Sequence, residues 1–222
     1  MTALLARLGR RADAVPLLVA AATLLCTPLT AAVKRSANMT APKGRVLFDF
    51  TGAAASVSDW EEQSDVVRSV GMSKAALVLQ RTQLFQRAVF FTLLNPQPNG
   101  AGFAGMRVAT QLDLSSHTKL ALSCRGQGQN LGYKVVLRHR GLNDEPNPTY
   151  EQMFTAPGDG EFATVELPLK DFLPYYRGQQ IKANPLDTSH VTSVELQMYG
   201  GVYLASKQAG ASSLEINWIT AE

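Results

Sequence analysis

The segment Phe172–Gly178 combines the residue types that most often contribute binding energy at protein surfaces. Its sequence, FLPYYRG, places three aromatic rings, a proline and an arginine within seven residues. Tyrosine and arginine offer a large contact area with directed hydrogen bonds, and proline restricts the backbone that presents them. We predict a loop in which Tyr175, Tyr176 and Arg177 contact a partner. The alternative is a structural loop, in which Phe172 and one tyrosine are buried and Arg177 pairs locally.

Ser73, in the segment Gly71–Ala75 (GMSKA), approximates the serine of a nucleophile elbow. That turn needs a strand before the serine, a helix after it and triad partners later in the chain. The residues after Ser73 have a strand pattern instead, and strands and helices do not alternate along this sequence. We therefore interpret Ser73 as a turn residue and predict that the protein is not an enzyme.

Other residues that could bind a metal or transfer protons are scattered along the chain. His117, His139 and His190 lie far apart, and none has a cysteine or a second histidine at ligand spacing. The acidic pairs Glu61-Glu62 and Asp144-Glu145 lie in polar, turn-rich segments, where solvated surface charges are usual. We predict no metal site and no catalytic residue.

Arg125–Leu131 (RGQGQNL) contains two glycines with the spacing of a phosphate-binding loop. A dinucleotide site needs a third glycine and a helix after it, and this sequence provides neither. We predict no cofactor, and interpret the segment as a tight hairpin between a strand that ends at Cys124 and one that begins at Tyr133.

Short segments of alternating apolar and polar residues, separated by Gly and Pro, must position these side chains. A period of two between turn residues indicates half-buried antiparallel strands. The predicted strands are Val46–Phe50, Ala76–Leu79, Ala88–Leu94, Leu120–Cys124, Tyr133–Leu137, Ala163–Leu167, Val194–Met198 and Leu214–Trp218. Trp60–Val70 could form a short helix. The predicted fold class is all-β, a jelly roll or related β-sandwich, because so many strands must stack or close to bury their apolar faces.

The chain has the composition of one ordinary globular domain, with a net charge of +3 over 222 residues. Lys and Arg are scattered singly, so we predict no nucleic-acid partner. Residues 33–45 are polar and contain Pro and Gly, which predicts a linker before a single domain at 46–222. Cys124 shares the apolar face of its strand with Leu120 and Leu122, so we predict a buried, unpaired thiol.

Residues 1–32 have the layout of a cleavable targeting segment. Three arginines precede the apolar run Val15–Cys26, and small residues precede a cleavage site after Ala32. This order favours a signal peptide and a secretory or extracellular location, with Asn38 as a candidate N-glycosylation site. The alternative is a mitochondrial presequence, which the three arginines also suit. The apolar run is short for a bilayer, so we predict no membrane-spanning segment in the mature chain.

Several segments, taken in order, resemble the complex I intermediate-associated protein family, which comprises assembly factors of NADH:ubiquinone oxidoreductase. The resemblance extends from about residue 46 to 220, and departures at Met72, Gln127 and Phe162 identify a divergent member. The matching segments are Leu47–Phe50, Trp60, Ser64-Asp65, Val70–Ser73, Gly100–Arg107, Arg125–Gly128, Tyr133, Val165–Leu169, Phe172–Gly178 and Leu214–Ile216. The resemblance implies a galactose-binding-like jelly roll without catalytic activity or cofactor.

The resemblance implies a chaperone-like assembly factor that binds protein partners, namely complex I assembly intermediates in mitochondria. The second interpretation is a secreted or lumenal jelly-roll module that binds a glycan or a protein. The two interpretations differ in the destination of the N-terminal segment, so the N-terminus of the native protein would separate them.

Overall fold

The computed structural model describes residues 41–67, 70–98, 100, 102–158 and 160–222. The predicted targeting segment 1–32, the candidate glycosylation site Asn38 and most of the predicted linker 33–45 lie outside these residues. No helix in the described ranges is long and apolar enough to cross a membrane.

The strands are β1 (Arg45–Asp49), β2 (Trp60–Glu62), β3 (Lys74–Arg81), β4 (Gln86–Leu94), β5 (Phe103–Leu112), β6 (Lys119–Gly128), β7 (Gly132–His139), β8 (Thr149–Thr155), β9 (Ala163–Pro168), β10 (Leu173–Tyr176), β11 (Gln179–Gln180), β12 (Val191–Tyr199) and β13 (Gly210–Ala221).

The strands form two antiparallel sheets. Sheet A has the order β3-β4-β13-β6-β9, and β1 also pairs with β13. Sheet B has the order β11-β10-β8-β7-β12-β5-β2. Short 3-10 turns at Asp65–Val67, Leu169–Asp171 and Thr188–His190 are the helical elements of the described residues. The structure confirms the predicted all-β sandwich, because the sequence alternates in short segments that can bury only one face each.

The core lies between the two sheets and follows the predicted alternation. Leu122 and Ile216 of sheet A and Leu137 and Leu196 of sheet B are at most 1% exposed. Burial of such a side chain contributes roughly 2 kcal/mol to stability. Cys124 lies in the same cluster as a free, buried thiol, as predicted, and burial raises its pKa to about 12.

The predicted helix over Trp60–Val70 is wrong. Trp60 begins β2 and packs its ring against Phe48 and Phe50, with centroids 5.2 and 6.4 Å away. Helical structure in the described part of this segment is limited to the 3-10 turn at Asp65–Val67. Tertiary packing of the aromatic cluster therefore overrides the local helical pattern.

The hairpin predicted for Arg125–Leu131 is also wrong. Strand β6 continues to Gly128 and pairs with β13 and β9 in sheet A. Strand β7 pairs with β12 and β8 in sheet B. The intervening residues therefore cross from one sheet to the other. Alternation shows that two strands exist, but it does not show which sheet each strand joins.

Ser73 lies immediately before β3 and joins the edges of the two sheets. Its hydroxyl donates to Asp65 Oδ2 at 2.7 Å and accepts from the backbone N–H of Asn95 at 3.0 Å. The other carboxylate oxygen of Asp65 accepts from the Ser73 N–H at 2.8 Å. Both residues are fully buried, so the structure supports a structural role for Ser73.

Candidate functional site

The outer face of sheet B carries a cleft of about 320 Å³. We call it the sheet B cleft. Its floor is formed by outward-facing side chains of β5, β12, β7 and β8, and its walls by two segments described below. Successive residues of a strand face opposite sides, so the residues between the core positions of these strands point into the cleft.

Strand register sets the arrangement of the floor. Glu195 on β12 lies opposite Arg107 on β5 and Val136 on β7. Two residues further along β12, Gln197 lies opposite Lys134 on β7. Side chains directly opposite each other on one face of a sheet are close enough to interact, so the register brings polar groups from three strands together.

Lys134 and Glu151 form a buried ion pair in this floor. Lys134 Nζ lies 2.5 Å from Glu151 Oε2, and the two side chains are 8% and 6% exposed. Thr149 donates a hydrogen bond to the second oxygen of Glu151 at 2.8 Å. This carboxylate is therefore satisfied within the protein.

Glu195 is also buried, with 3% exposure, but no cation of the described residues lies within ion-pair distance. The side-chain amide of Gln197 donates to Glu195 Oε1 at 2.5 Å. Burial raises the pKa of Glu195 to about 7, against the opposing effects of Gln197, Lys134 and Arg138. A Cβ atom at Gly105 would lie 2.5 Å from Glu195 Oε1, so the glycine provides the space that this carboxyl group occupies.

Arg138 is a cation in the same floor that also lacks an ion-pair partner among the described residues. Its Nη1 donates to the backbone carbonyl of Asn147 at 3.3 Å, and no carboxylate of the described residues lies within ion-pair distance. Burial lowers the pKa of Arg138, and the charge of Glu195 opposes that shift. The floor therefore contains one anion and one cation that are partly desolvated and not paired with each other.

One wall of the cleft is the hairpin formed by β10 and β11. Tyr175 pairs with Gln180 in the strand register. Arg177 and Gly178 connect the strands with φ angles of 50° and 79°, as in a type I′ turn. The predicted loop is therefore wrong in its backbone: the segment is a β-hairpin at the edge of sheet B, because β8 accepts β10 as a neighbour.

The structure places all three predicted contact residues, Tyr175, Tyr176 and Arg177, in the lining of the cleft. Arg177 forms an ion pair of 2.8 Å with Glu145, and its guanidinium carbon lies 5.2 Å from the Tyr176 ring centroid. Phe172 is buried. The site role of the three residues remains a prediction.

The second wall is the connection between β12 and β13, which the sequence interpretation missed and whose Tyr203 ring lies beside Gly178 of the hairpin. Val202, Tyr203 and Leu204 are 49%, 59% and 39% exposed and line the cleft. Lys207 Nζ holds this connection by donating to the carbonyls of Gly201 and Val202 at 2.6 and 2.8 Å. The wall therefore presents apolar side chains above a charged floor.

Lys134, Glu195 and Gln197 were also missed as site residues, although the alternation places them on the face opposite the core. They lie at polar positions of strands that were predicted to be half-buried, whereas the structure buries all three side chains. A usable signal was present for two of them, because Glu195 and Gln197 occupy successive polar positions in one predicted strand.

Two of the three histidines, His139 and His190, contact the same residue, Asp187, and Nδ1 of His190 lies 3.2 Å from Asp187 Oδ2. Nδ1 of His139 accepts from the backbone N–H of Asp187 at 2.7 Å, and burial lowers the pKa of this histidine. Within the described residues, no three His, Cys, Asp or Glu side chains are arranged to hold a metal ion.

The family model for complex I intermediate-associated protein 30 matches residues 48–216. The chain belongs to this family. The match spans most of the chain and includes every residue that lines the sheet B cleft, from Gln63 to Leu204. A comparison with curated proteins gave no significant match.

Solved structures with a similar fold include family 11 carbohydrate-binding modules of Clostridium thermocellum. One, in complex with a β-1,3-1,4-mixed-linked tetrasaccharide, has 16% identity and a TM-score of 0.57, over 79% of this chain and 93% of that chain. A second, from a cellulosomal cellulase, has 15% identity and a TM-score of 0.56, over 80% and 94%. An exo-β-agarase has 10% identity and a TM-score of 0.52, over 81% of this chain but 25% of that chain. At these identities the comparison shows that this protein shares the β-sandwich fold with them, and shows the fold alone.

Proposed function

We propose that this protein is a non-catalytic, chaperone-like assembly factor that binds protein intermediates of respiratory complex I. The observation that carries the proposal is the family match over residues 48–216. The burial of Ser73 beneath its hydrogen bonds to Asp65 and Asn95 agrees with a role in binding rather than hydrolysis, because a nucleophile must be reached by its substrate.

The β10–β11 hairpin is the proposed contact element for the protein partner. Tyr176 and Arg177 are part of a wall rather than of the core, and Arg177 pairs with a carboxylate whose side chain is 48% exposed. A type I′ turn holds the two residues without a long flexible loop, so little conformational entropy is lost when a partner binds. The assembly role also requires the mitochondrial alternative for residues 1–32.

Deletion of the protein from its native cells tests this function. Native-gel separation of respiratory complexes should show less mature complex I and more of its subassemblies. The parent protein should restore complex I, whereas the double variant Tyr176→Ala/Arg177→Ala should not, although it folds normally. Arg81→Ala/Leu84→Ala, which truncates two exposed side chains at the β3–β4 turn of sheet A, is the control and should restore complex I.

Two results would contradict the assembly role: an unchanged level of complex I in the deleted cells, or a native N-terminus produced by signal peptidase with glycan on Asn38. The double variant could instead unfold at a temperature several degrees below that of the parent, with partner binding that follows the fraction of folded protein. In that case the hairpin has a structural role and the site assignment fails.

The second candidate function is glycan binding, with the secretory route as the proposed location. It is favoured by the position and lining of the sheet B cleft, which combines tyrosines on its walls with a polar floor on the face of a β-sandwich. Planar polar groups and aromatic rings suit the hydroxyls and the apolar ring faces of sugars. The fold is shared with carbohydrate-binding modules, one of them solved with a tetrasaccharide.

A further inference from the structure

The sheet B cleft contains two charged groups that the protein leaves without ion-pair partners among its described residues. Lys134 is paired with Glu151, Arg107 with Asp144, and Arg177 with Glu145. Once these pairs are set aside, Arg138 and Glu195 remain. Burial of an unpaired charge costs free energy, so such groups are usually retained where a ligand completes them.

Arg138 and Glu195 are close neighbours on adjacent strands. Glu195 pairs in register with Val136, and Arg138 pairs with Ser193, which places the two side chains diagonally on the same face. Diagonal neighbours on one face lie about 7–8 Å apart, with their Cβ atoms somewhat closer, and long polar side chains can bridge this gap through a small group placed between them.

A ligand group that fits this gap must accept a hydrogen bond from the Arg138 guanidinium and form a second hydrogen bond with the Glu195 carboxyl group. A hydroxyl is both donor and acceptor, so it can accept from Arg138 and donate to the Glu195 carboxylate. If Glu195 is protonated, as its raised pKa allows near neutral pH, a hydroxyl can still accept from it.

The backbone of the floor is not available to a peptide. Strand β12 is hydrogen-bonded on both sides, to β5 and to β7, so its N–H and C=O groups are used within the sheet. Recognition by strand addition requires an open edge. A ligand in this cleft must therefore be read by side chains.

We propose that Arg138 and Glu195 form a subsite for adjacent hydroxyl groups of a neutral oligosaccharide bound in the sheet B cleft. The inference rests on the second candidate function and names its ligand class and its polar contacts. The charges of the three ion pairs cancel, as do those of Arg138 and Glu195, which favours a ligand without net charge. Tyr175 and Tyr203 on the two walls provide ring faces for the apolar side of a sugar.

Isothermal titration calorimetry on the full chain tests the subsite. The probes are neutral tetrasaccharides, namely a β-1,3-1,4-mixed-linked glucan, a mannan and a galactan, with a sulfated galactan of the same length for comparison. Arg138→Met and Glu195→Met remove the polar groups and keep an unbranched apolar side chain at each position, so neither is expected to unfold the protein. We expect saturable binding of at least one neutral tetrasaccharide, and a loss of 10-fold or more in both variants.

Conservative variants separate hydrogen bonding from packing. Arg138→Lys and Glu195→Gln retain a donor and an acceptor at the same places, so they should bind within about threefold of the parent. Arg81→Met, on β3 of sheet A, removes an exposed arginine outside the cleft and should bind as the parent does.

Four results would contradict the proposed subsite, and they differ in whether glycan binding is contradicted as well. If a neutral tetrasaccharide binds and both methionine variants bind it equally well, the subsite is wrong although glycan binding stands. If no neutral tetrasaccharide binds, the subsite and the second candidate function fail together. Binding of the sulfated galactan alone would show that the ligand is an anion. Loss of a protein partner in pull-downs by both methionine variants, without any sugar binding, would assign the cleft to a protein.

Discussion

Lys134, Glu151 and Glu195 are buried although they lie on the outer face of a sheet. The two walls of the cleft and the neighbouring long side chains remove them from water. For Lys134 and Glu151 the ion pair offsets part of the desolvation cost, whereas Glu195 accepts a hydrogen bond from the amide of Gln197 and burial raises its pKa. Glu195 is therefore a buried carboxyl group that the described residues leave without an ion-pair partner.

The raised pKa of Glu195 predicts a pH-dependent stability. Its value is about 7 in the folded protein against an ordinary value of 4.5, so its contribution is complete below pH 4.5 and is lost as the pH rises through 7. The facing charged groups are Arg107 on β5, Lys134 and Arg138 on β7, and Glu151 on β8. We expect Glu195→Gln to be more stable than the parent at pH 8, by on the order of 3 kcal/mol, and to match it near pH 4.5.

Urea denaturation of both proteins at several pH values measures this difference. Burial lowers the pKa of His139, but this histidine is present in both proteins, so its contribution cancels. Glu166→Gln is the control, because this carboxylate lies on sheet A with a side chain that is 57% exposed. An unchanged difference between Glu195→Gln and the parent from pH 4.5 to 8 would contradict the assignment.

The β10–β11 hairpin shows how a local turn and a long-range pairing together produce a site element. Arg177 and Gly178 have the positive φ angles that match the twist of a two-residue hairpin. Pairing of Leu173 and Tyr175 with Glu151 and Thr149 then attaches the hairpin to β8. The tyrosines are therefore held by the sheet itself.

Gly178→Ala should loosen this hairpin. An alanine at a φ of 79° is strained, and we expect a loss of roughly 1 kcal/mol in stability together with faster amide hydrogen exchange in residues 173–180. Gly141→Ala is the matched control, because Gly141 also follows an arginine of positive φ and has a φ of 72°. The control should lose similar stability without faster exchange in the hairpin. Equal exchange in both variants would show that the turn does not order β10 and β11.

The stability of the whole molecule depends on hydrogen bonds that tie its two sheets together as well as on the core. Asp65 follows β2 of sheet B, and its carboxylate accepts from Ser73, which precedes β3 of sheet A. The same carboxylate accepts from the N–H of Phe103 in β5 at 3.3 Å. A Cβ at Gly71 would lie 1.9 Å from the carbonyl oxygen of Asp65, so a glycine is needed beside this tie.

Removal of the Asp65 carboxylate should therefore destabilise the fold strongly. Asp65→Ala leaves several buried donors without an acceptor, and we expect a loss of roughly 3–5 kcal/mol, against roughly 1–3 kcal/mol for Ser73→Ala. Asp49→Ala is the control, because Asp49 accepts two hydrogen bonds from Thr51 at an exposed position and should matter little. Thermal and urea unfolding measure all three variants. If Asp65→Ala is as stable as the control, the two sheets do not depend on this tie.

Local patterns in the sequence were sufficient to predict the class of fold and the burial of particular residues. Alternation placed Leu120, Leu122 and Cys124 on one buried face, and the structure confirms it. Two strands that are poor in this pattern, β5 and β8, were missed. The residue types of Phe172–Gly178 indicated a contact element, although its backbone was predicted as a loop.

The location of the cleft was decided by tertiary structure alone. Alternation distinguishes the two faces of a strand, but it does not tell which strands become neighbours, so Lys134 could not be paired with Glu151, or Arg138 placed beside Glu195, from the sequence. Nor does it tell whether an outer face is covered, because the β10–β11 hairpin joins sheet B only through its pairing with β8. Long-range register and burial determine the charge state and the partners of a polar group, and both exist only in the folded protein.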